Sequence, residues 1–209
     1  MMHQANPSSQ AAMVSGRVVH GAAQVPQGYR VEWRFNGWRS LLALSPTFDV
    51  TATGPGADLT GRLSALPDRY ALRDAGGTLS WAVVPLLAPD LGITCDLTAS
   101  VDGLSISQNG RTRRALGGLR TSPGTCARDK GEIAGIPVPA LVARLTTTRN
   151  GIEAVLAAQN TPDIALATAT LTNRDRLILR LHAAGARLVP GMPASSEYKI
   201  ELPLSALRR

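Results

Sequence analysis

A six-residue phrase recurs in this chain at almost constant spacing, and it constrains the fold more than any other feature. Phe48-Asp49-Val50-Thr51-Ala52-Thr53 returns 47 residues on as Cys95-Asp96-Leu97-Thr98-Ala99-Ser100. Around it, Val31-Glu32-Trp33 returns as Leu79-Ser80-Trp81, and Gly56 returns as Gly103. In a fainter third copy Leu145-Thr146 matches Leu97-Thr98, and Asn150-Gly151-Ile152 matches Asp102-Gly103-Leu104. Repeats of this length belong to stacked or extended architectures, in which each unit buries its apolar side against its neighbours. The repeated residues are those of strands and turns, so architecture is constrained far more tightly than activity.

Strand periodicity supports this. Tyr29-Arg30-Val31-Glu32-Trp33-Arg34-Phe35 alternates large apolar and charged side chains, the pattern of a half-buried strand. Phe48, Val50 and Ala52 share one face and Asp49, Thr51 and Thr53 the other. Gly54-Pro55-Gly56-Ala57-Asp58 then turns the chain and Leu59 to Leu63 returns. The second copy predicts strands over 97–101 and 104–107 about a turn at Asp102-Gly103, a dipeptide that tolerates the positive φ of a two-residue hairpin. The third predicts strands over 143–148 and 152–156 about Asn150-Gly151. Between tryptophan and hairpin lies a Leu-rich link, Trp38 to Pro46 and Pro85 to Leu91. Ser40 to Leu44 predicts one helical turn ended before Pro46, whereas Pro85 and Pro89 oppose a regular helix in the second link. Further strands are expected over 165–172, 176–181 and 198–202, with a turn at 172–175.

About ten strands and one or two short helices result. The fold class is all-β: repeated antiparallel hairpins forming an extended curved sheet with few short helices. Residues 1–13 read as a disordered leader and 14–126 as the repeat-built region. Residues 127–209 read as a third, divergent repeat with C-terminal strands that continues the same sheet.

Composition narrows the function classes. Only 4% of residues are aromatic against 44% apolar, which suits a thin sheet-based core. The net charge is +7, nearly all of it arginine, since Lys130 and Lys199 are the only lysines. Basic residues are not interleaved with aromatics and no nucleic-acid-binding motif is visible, so nucleic acid is not an expected partner. The uncharged stretch Ala75 to Pro89 contains Pro85 and falls short of the ~20 apolar residues a membrane helix needs. The N-terminus has neither the basic nor the apolar region of a signal peptide.

No nucleophile elbow, phosphate-binding loop or dinucleotide fingerprint appears. His3, His20 and His182 are isolated, and Asp49 and Asp96 read as solvated strand positions or arginine partners before they read as an acid–base pair. No catalytic residue, metal site or cofactor is assigned. Cys95 and Cys126 are either two unrelated buried thiols or a disulfide joining the second repeat to the segment after it. A bridge would contribute on the order of 3–4 kcal/mol by loop closure and would require an oxidising compartment. Trp33 and Trp81 serve either packing or ligand stacking. The basic run Arg111, Arg113, Arg114, Arg120, Arg128 and Lys130, opposed only by Asp129, is either a solvated arginine-rich loop or a docking surface. Its partner would be an acidic protein or anionic lipid headgroups.

With these phrases in view the chain resembles type II secretion system protein N. The resemblance rests on Gly77-Thr78-Leu79-Ser80-Trp81, on Pro85-Leu86-Leu87, and on Gly92-Ile93-Thr94-Cys95-Asp96-Leu97 with the Gly-rich stretch to Leu119. A weaker echo runs from Ser15-Gly16-Arg17-Val18 through Leu63. It implies a periplasmic β-rich domain of a non-enzymatic accessory subunit whose partners are other secretion-system proteins. Members of that family are anchored in the inner membrane by an N-terminal helix, which residues 1–13 do not supply. The periplasm would also suit a Cys95–Cys126 bridge. The second expectation is a periplasmic carrier of lipid or another hydrophobic ligand, similar to the AsmA-type envelope proteins. An apolar groove open to solvent favours the carrier; a face filled by Trp33, Phe35, Trp81 and Leu97 favours the scaffold.

Overall fold

The structure is a computed structural model and describes residues 13–87, 92–128, 135–189, 192–193 and 197–204. It opens with β1 (Met13–Arg17), β2 (His20–Val25) and β3 (Tyr29–Phe35), then α1 (Gly37–Ala43) and β4 (Thr47–Gly54). β5 (Ala57–Leu66) and β6 (Arg69–Ser80) follow, then α2 (Val84–Leu87) and β7 (Ile93–Cys95). The middle is built from β8 (Thr98–Asn109), β9 (Thr112–Thr121), β10 (Gly124–Arg128) and β11 (Ile136–Val138). The remainder comprises β12 (Leu141–Thr148), β13 (Gly151–Ala158), β14 (Thr161–Thr172), β15 (Arg176–Leu181), α3 (Ala183–Ala186) and β16 (Tyr198–Pro203).

The expected fold class is observed. Thirteen strands form one antiparallel sheet, ordered β1-β2-β3-β4-β5-β6-β8-β9-β12-β13-β14-β15-β16, and it does not close into a barrel. Each strand lies beside its predecessor in the sheet, so the topology is a meander of mostly local hairpins. β9 pairs with β12 through Val142↔Arg120 to Leu145↔Gly117, so the divergent C-terminal repeat continues the same sheet. The other three strands make a small sheet, β11-β10-β7, at one end. The expected leader lies outside the described residues except for Met13, which opens β1.

The described residues form sixteen strands where about ten were expected. β1, β6 and β9 carry too many glycines, serines and arginines for alternation to mark them, β2 is mostly small residues, and pairing on both sides holds β2, β6 and β9 extended. The expected turn at Asp102-Gly103 is not a turn. β8 runs straight through it, and the ladder to β9 slips there, between Asp102 and Ser105. Gly103 (φ +58) supplies a bulge, and on the facing strand a Cβ at Gly117 would meet the Leu104 Cα at 2.7 Å. The actual β8–β9 hairpin closes over Gly110 and Arg111, with Asn109 paired to Thr112. The third-copy hairpin forms one residue earlier than expected, closing over Arg149 and Asn150 with Thr148 paired to Gly151, which opens β13. In the second link Pro85 falls in the first turn of α2, where its missing N–H breaks no helical bond.

The repeated phrase does not keep its place. Phe48 lies in β4 of the large sheet, whereas Cys95 closes β7 of the small one. What the first two copies share is coarser: a strand, a short helical link and the next strand.

Side chains directly paired across an antiparallel ladder point to the same face. One rung therefore crosses the sheet as Val14, Ala23, Val31, Ala52, Leu59 and Gly77. It continues through Val101, Leu119, Ala143, Leu156, Ala167, Leu181 and Tyr198, reaching the far edge without one charged residue. A second rung on that face runs Phe35, Phe48, Leu63, Leu72, Ile106, Ala115. The opposite face carries Arg34, Asp49 and Arg62 in one rung and Thr168, Arg180 and Lys199 in another.

Candidate functional site

The apolar face is the candidate site, and its geometry follows from how the sheet bends. In a flat sheet, strands two apart lie about 10 Å from each other. β9 and β13, separated by β12, approach within 8 Å between Cα atoms. The bend is visible where β12 leaves the ladder: Thr147 Oγ1 accepts from the Ala115 N–H at 2.9 Å and donates to the Ala115 carbonyl at 3.0 Å, standing in for backbone pairing.

Arg113 fixes the direction of the bend. It sits on the apolar face, two residues from Ala115, and is buried. Its Nε donates to Gln108 Oε1 (3.2 Å), its Nη1 to the Thr172 carbonyl (2.8 Å) and its Nη2 to Asp175 in an ion pair. Thr172 and Asp175 belong to the β14–β15 connection, three strands away from β9 in the sheet order, so the apolar face is the inner one here. Tyr70 Oη donates to the same Gln108 Oε1 at 2.7 Å, extending the polar network to β6. The network walls one end of the trough.

At the opposite end stands the disulfide. Cys95 and Cys126 are direct cross-strand partners in β7 and β10, with Sγ atoms 1.99 Å apart. Both are buried with Val138, and Trp81, Ile93, Leu97 and Leu141 pack around them. The Trp81 indole donates to the Ile93 carbonyl at 3.2 Å. The bridge ties the link between β6 and β8 to the link between β9 and β12.

Between these ends, Ala143, Ala154, Leu156, Ala169, Leu179 and Ile200 line a concavity of about 370 Å³ with an apolar wall, within the range of small-ligand sites. A larger hollow of about 640 Å³ lies on the turns near Asn150, Asn173, Arg174 and Arg176. Its rim is polar, Arg176 is committed to Glu201 at 2.7 Å, and the buried Asn173 Oδ1 has no partner. Size favours the second and chemistry the first, because only the first is continuous with the apolar rungs.

The residues singled out in the sequence disperse. Arg113 is an internal bracket and not part of a docking surface. Arg111 is exposed in the β8–β9 turn, Arg114 and Arg120 are exposed on the charged face of β9, and Arg128 ends β10 beside the disulfide. Lys130 lies outside the described residues. The described cations are spread over a turn, the length of β9 and the end of β10, so they do not form a single patch. Trp33 and Trp81 are both half-buried, but only Trp33 lies on the apolar face, where its indole donates to the Val18 carbonyl at 3.2 Å. Phe35 shares that face, while Trp81 and Leu97 belong to the disulfide cluster. Asp49 accepts from Asn36 Nδ2 at 2.9 Å, and Asp96 lies in the connection between β7 and β8, so the two carboxylates are not equivalent.

His182 Nε2 lies 2.8 Å from Thr168 Oγ1, and its Nδ1 lies 3.7 Å from Glu197. The second distance is too long for a hydrogen bond, and Thr168 occupies a strand paired on both sides. This contact holds the start of α3 to β14. Among the described residues no group of three or more His, Cys, Asp or Glu is placed to hold a metal ion, and no helix is long and apolar enough to cross a membrane. Compared with protein-family models, curated proteins and solved structures, the chain shows no match.

Proposed function

We propose that this chain is a non-enzymatic envelope protein that binds a hydrophobic ligand, such as the acyl chains of a lipid, on the inner face of its sheet. The observation that carries this reading is the apolar rung that crosses all thirteen strands with no charge in it. Monomeric soluble proteins rarely expose a contiguous apolar surface beyond a few hundred Å² unless something binds there. Thirteen strands at ~4.8 Å spacing carry the first rung on the order of 60 Å across the sheet, and most of its side chains are only half-buried. The compartment proposed is the periplasm, for which the disulfide's need of an oxidising environment is the support.

A second reading is favoured by the sheet edges. Among the described residues β1 and β16 each pair on one side only, and such edges accept a strand from a partner. On this reading the chain is an accessory subunit of a type II secretion machine, held at the inner membrane and contacting other subunits. The resemblance of Gly77 to Leu119 to that family supports it.

One purification separates the two. The protein is isolated from its native envelope without detergent exchange, and lipids and proteins are identified by mass spectrometry. Near-stoichiometric lipid, displaced by a fluorescent polyunsaturated fatty acid, is the expected result. Secretion subunits without lipid would sink the carrier reading in favour of the scaffold.

A further inference from the structure

The helical link α1 packs the wrong way round for a soluble protein. Its polar side holds it down. Asn36 Oδ1 accepts from the Arg39 N–H at 3.2 Å, Ser40 Oγ donates to the Asn36 carbonyl at 2.7 Å, and the Thr47 N–H donates to Ser40 Oγ at 2.9 Å. Trp38, Leu41 and Leu42, spaced three and four residues apart on one helix face, point outward and are 70%, 65% and 69% exposed. Leu44 ends the helix in the left-handed region (φ 50, ψ 33) and is 86% exposed. The β1–β2 turn lies at the same end of the sheet, its Val19 carbonyl accepting from the N–H of Phe35, the last residue of β3, at 2.6 Å, and Val18 in that turn is 83% exposed. Arg17 and Arg39 are the only formally charged residues of the segments 13–20 and 35–46, which contain no carboxylate.

We infer that this end of the sheet is a membrane-docking tip whose partner is an anionic bilayer surface. An indole, three leucines and a valine flanked by arginines match the chemistry of a shallow interfacial insertion, with aromatic and aliphatic side chains entering the acyl boundary and cations meeting headgroup phosphates. A protein groove would match the apolar residues but leave Arg17 and Arg39 without a stated role. The tip adjoins Phe35, which heads the second apolar rung through Phe48 (ring centroids 5.7 Å apart).

The test is co-sedimentation of the purified chain with vesicles of phosphatidylethanolamine and phosphatidylglycerol, and with vesicles of phosphatidylcholine alone. It needs no ligand in the trough, so its outcome is separate from that of the carrier reading. The wild-type chain sediments with the anionic vesicles, and added salt weakens binding. The Trp38→Ala/Leu42→Gln variant binds at least about tenfold more weakly, and Arg39→Gln lowers the salt-sensitive part. Both outer side chains are solvent-exposed, so folding should survive. If circular dichroism shows otherwise, Leu44→Asn, which suits the local backbone, carries the same test. Equal binding by variant and wild type overturns the inference. So does absence of wild-type binding, or a vesicle-free dimer that the double variant abolishes, which would make a second copy the occupant.

Discussion

The first five strands and the later strands of the large sheet, from β6 to β16, share one apolar face, yet they are stabilised differently. Every fully buried apolar side chain among the described residues lies at Ala75 or beyond, from Ala75 itself through Val101, Ile152 and Leu166 to Ala186. On β1, β2, β3 and β5 the corresponding positions remain open, with Val14, Val25, Phe35 and Leu63 all exposed. The later strands have three devices that the earlier ones lack: the disulfide, the Arg113 bracket and α3 laid over β14. An apolar rung therefore does not make a core. It becomes one only where the sheet bends or something covers it.

The contrast can be broken most directly at the disulfide. Replacing Cys95 and Cys126 with alanine frees a loop of sequence separation 31, and the cost should be roughly 3–4 kcal/mol in the loop-closure account. Denaturant midpoints of the two proteins measure it. Equal midpoints would mean that the small sheet holds without its bridge, and the first of the three devices would drop out.

The next test sets matched truncations against each other. Ile152→Ala empties a buried site on β13 and should cost about 2–4 kcal/mol. Leu63→Ala removes a half-solvated side chain from β5 and should cost less than about 1 kcal/mol. If the two losses were equal, the first five strands would be packed as tightly as the rest. Amide exchange sharpens the same comparison: β1 to β3 should exchange through local opening well before β12 to β14. Arg113→Ala removes three hydrogen bonds from a buried guanidinium, at roughly 1–3 kcal/mol, and should speed exchange around the β14–β15 turn. A uniform change across the sheet would argue against a local bracket.

These devices mark where the sequence was readable. β3, β4 and β15 alternate cleanly because one face of each meets water, and their bounds were legible from period alone. The third-copy hairpin was legible to within one residue: Asn150-Gly151 marked it, but the loop is Arg149 and Asn150, and Gly151 already pairs with Thr148. Asp102-Gly103 misled because a positive-φ glycine serves a bulge as well as a turn, while Asn109-Gly110 beside it carried the real signal. The apolar face could be anticipated strand by strand, but its continuity depends on thirteen registers that no single segment encodes. Arg113 could not be separated from Arg111 and Arg114, since its burial follows from Asp175, far along the chain, being brought within reach. The Cys95–Cys126 pairing was open in sequence for the same reason and was decided by β7 and β10 lying side by side.

Leu44 gives the smallest effect and the most pointed one. A leucine in the left-handed region costs about 1 kcal/mol more than a residue suited to it, and its 86% exposed side chain recovers little of that by packing. Asparagine tolerates the conformation, so Leu44→Asn should raise stability by about 0.5–1 kcal/mol, read as a small upward shift of the denaturation midpoint. A residue that breaks a local rule without a packing gain marks a place where function outweighs stability. The same variant should then bind anionic vesicles less well than the wild type. Higher stability with undiminished vesicle binding would leave Leu44 as mere strain and would count against the docking tip.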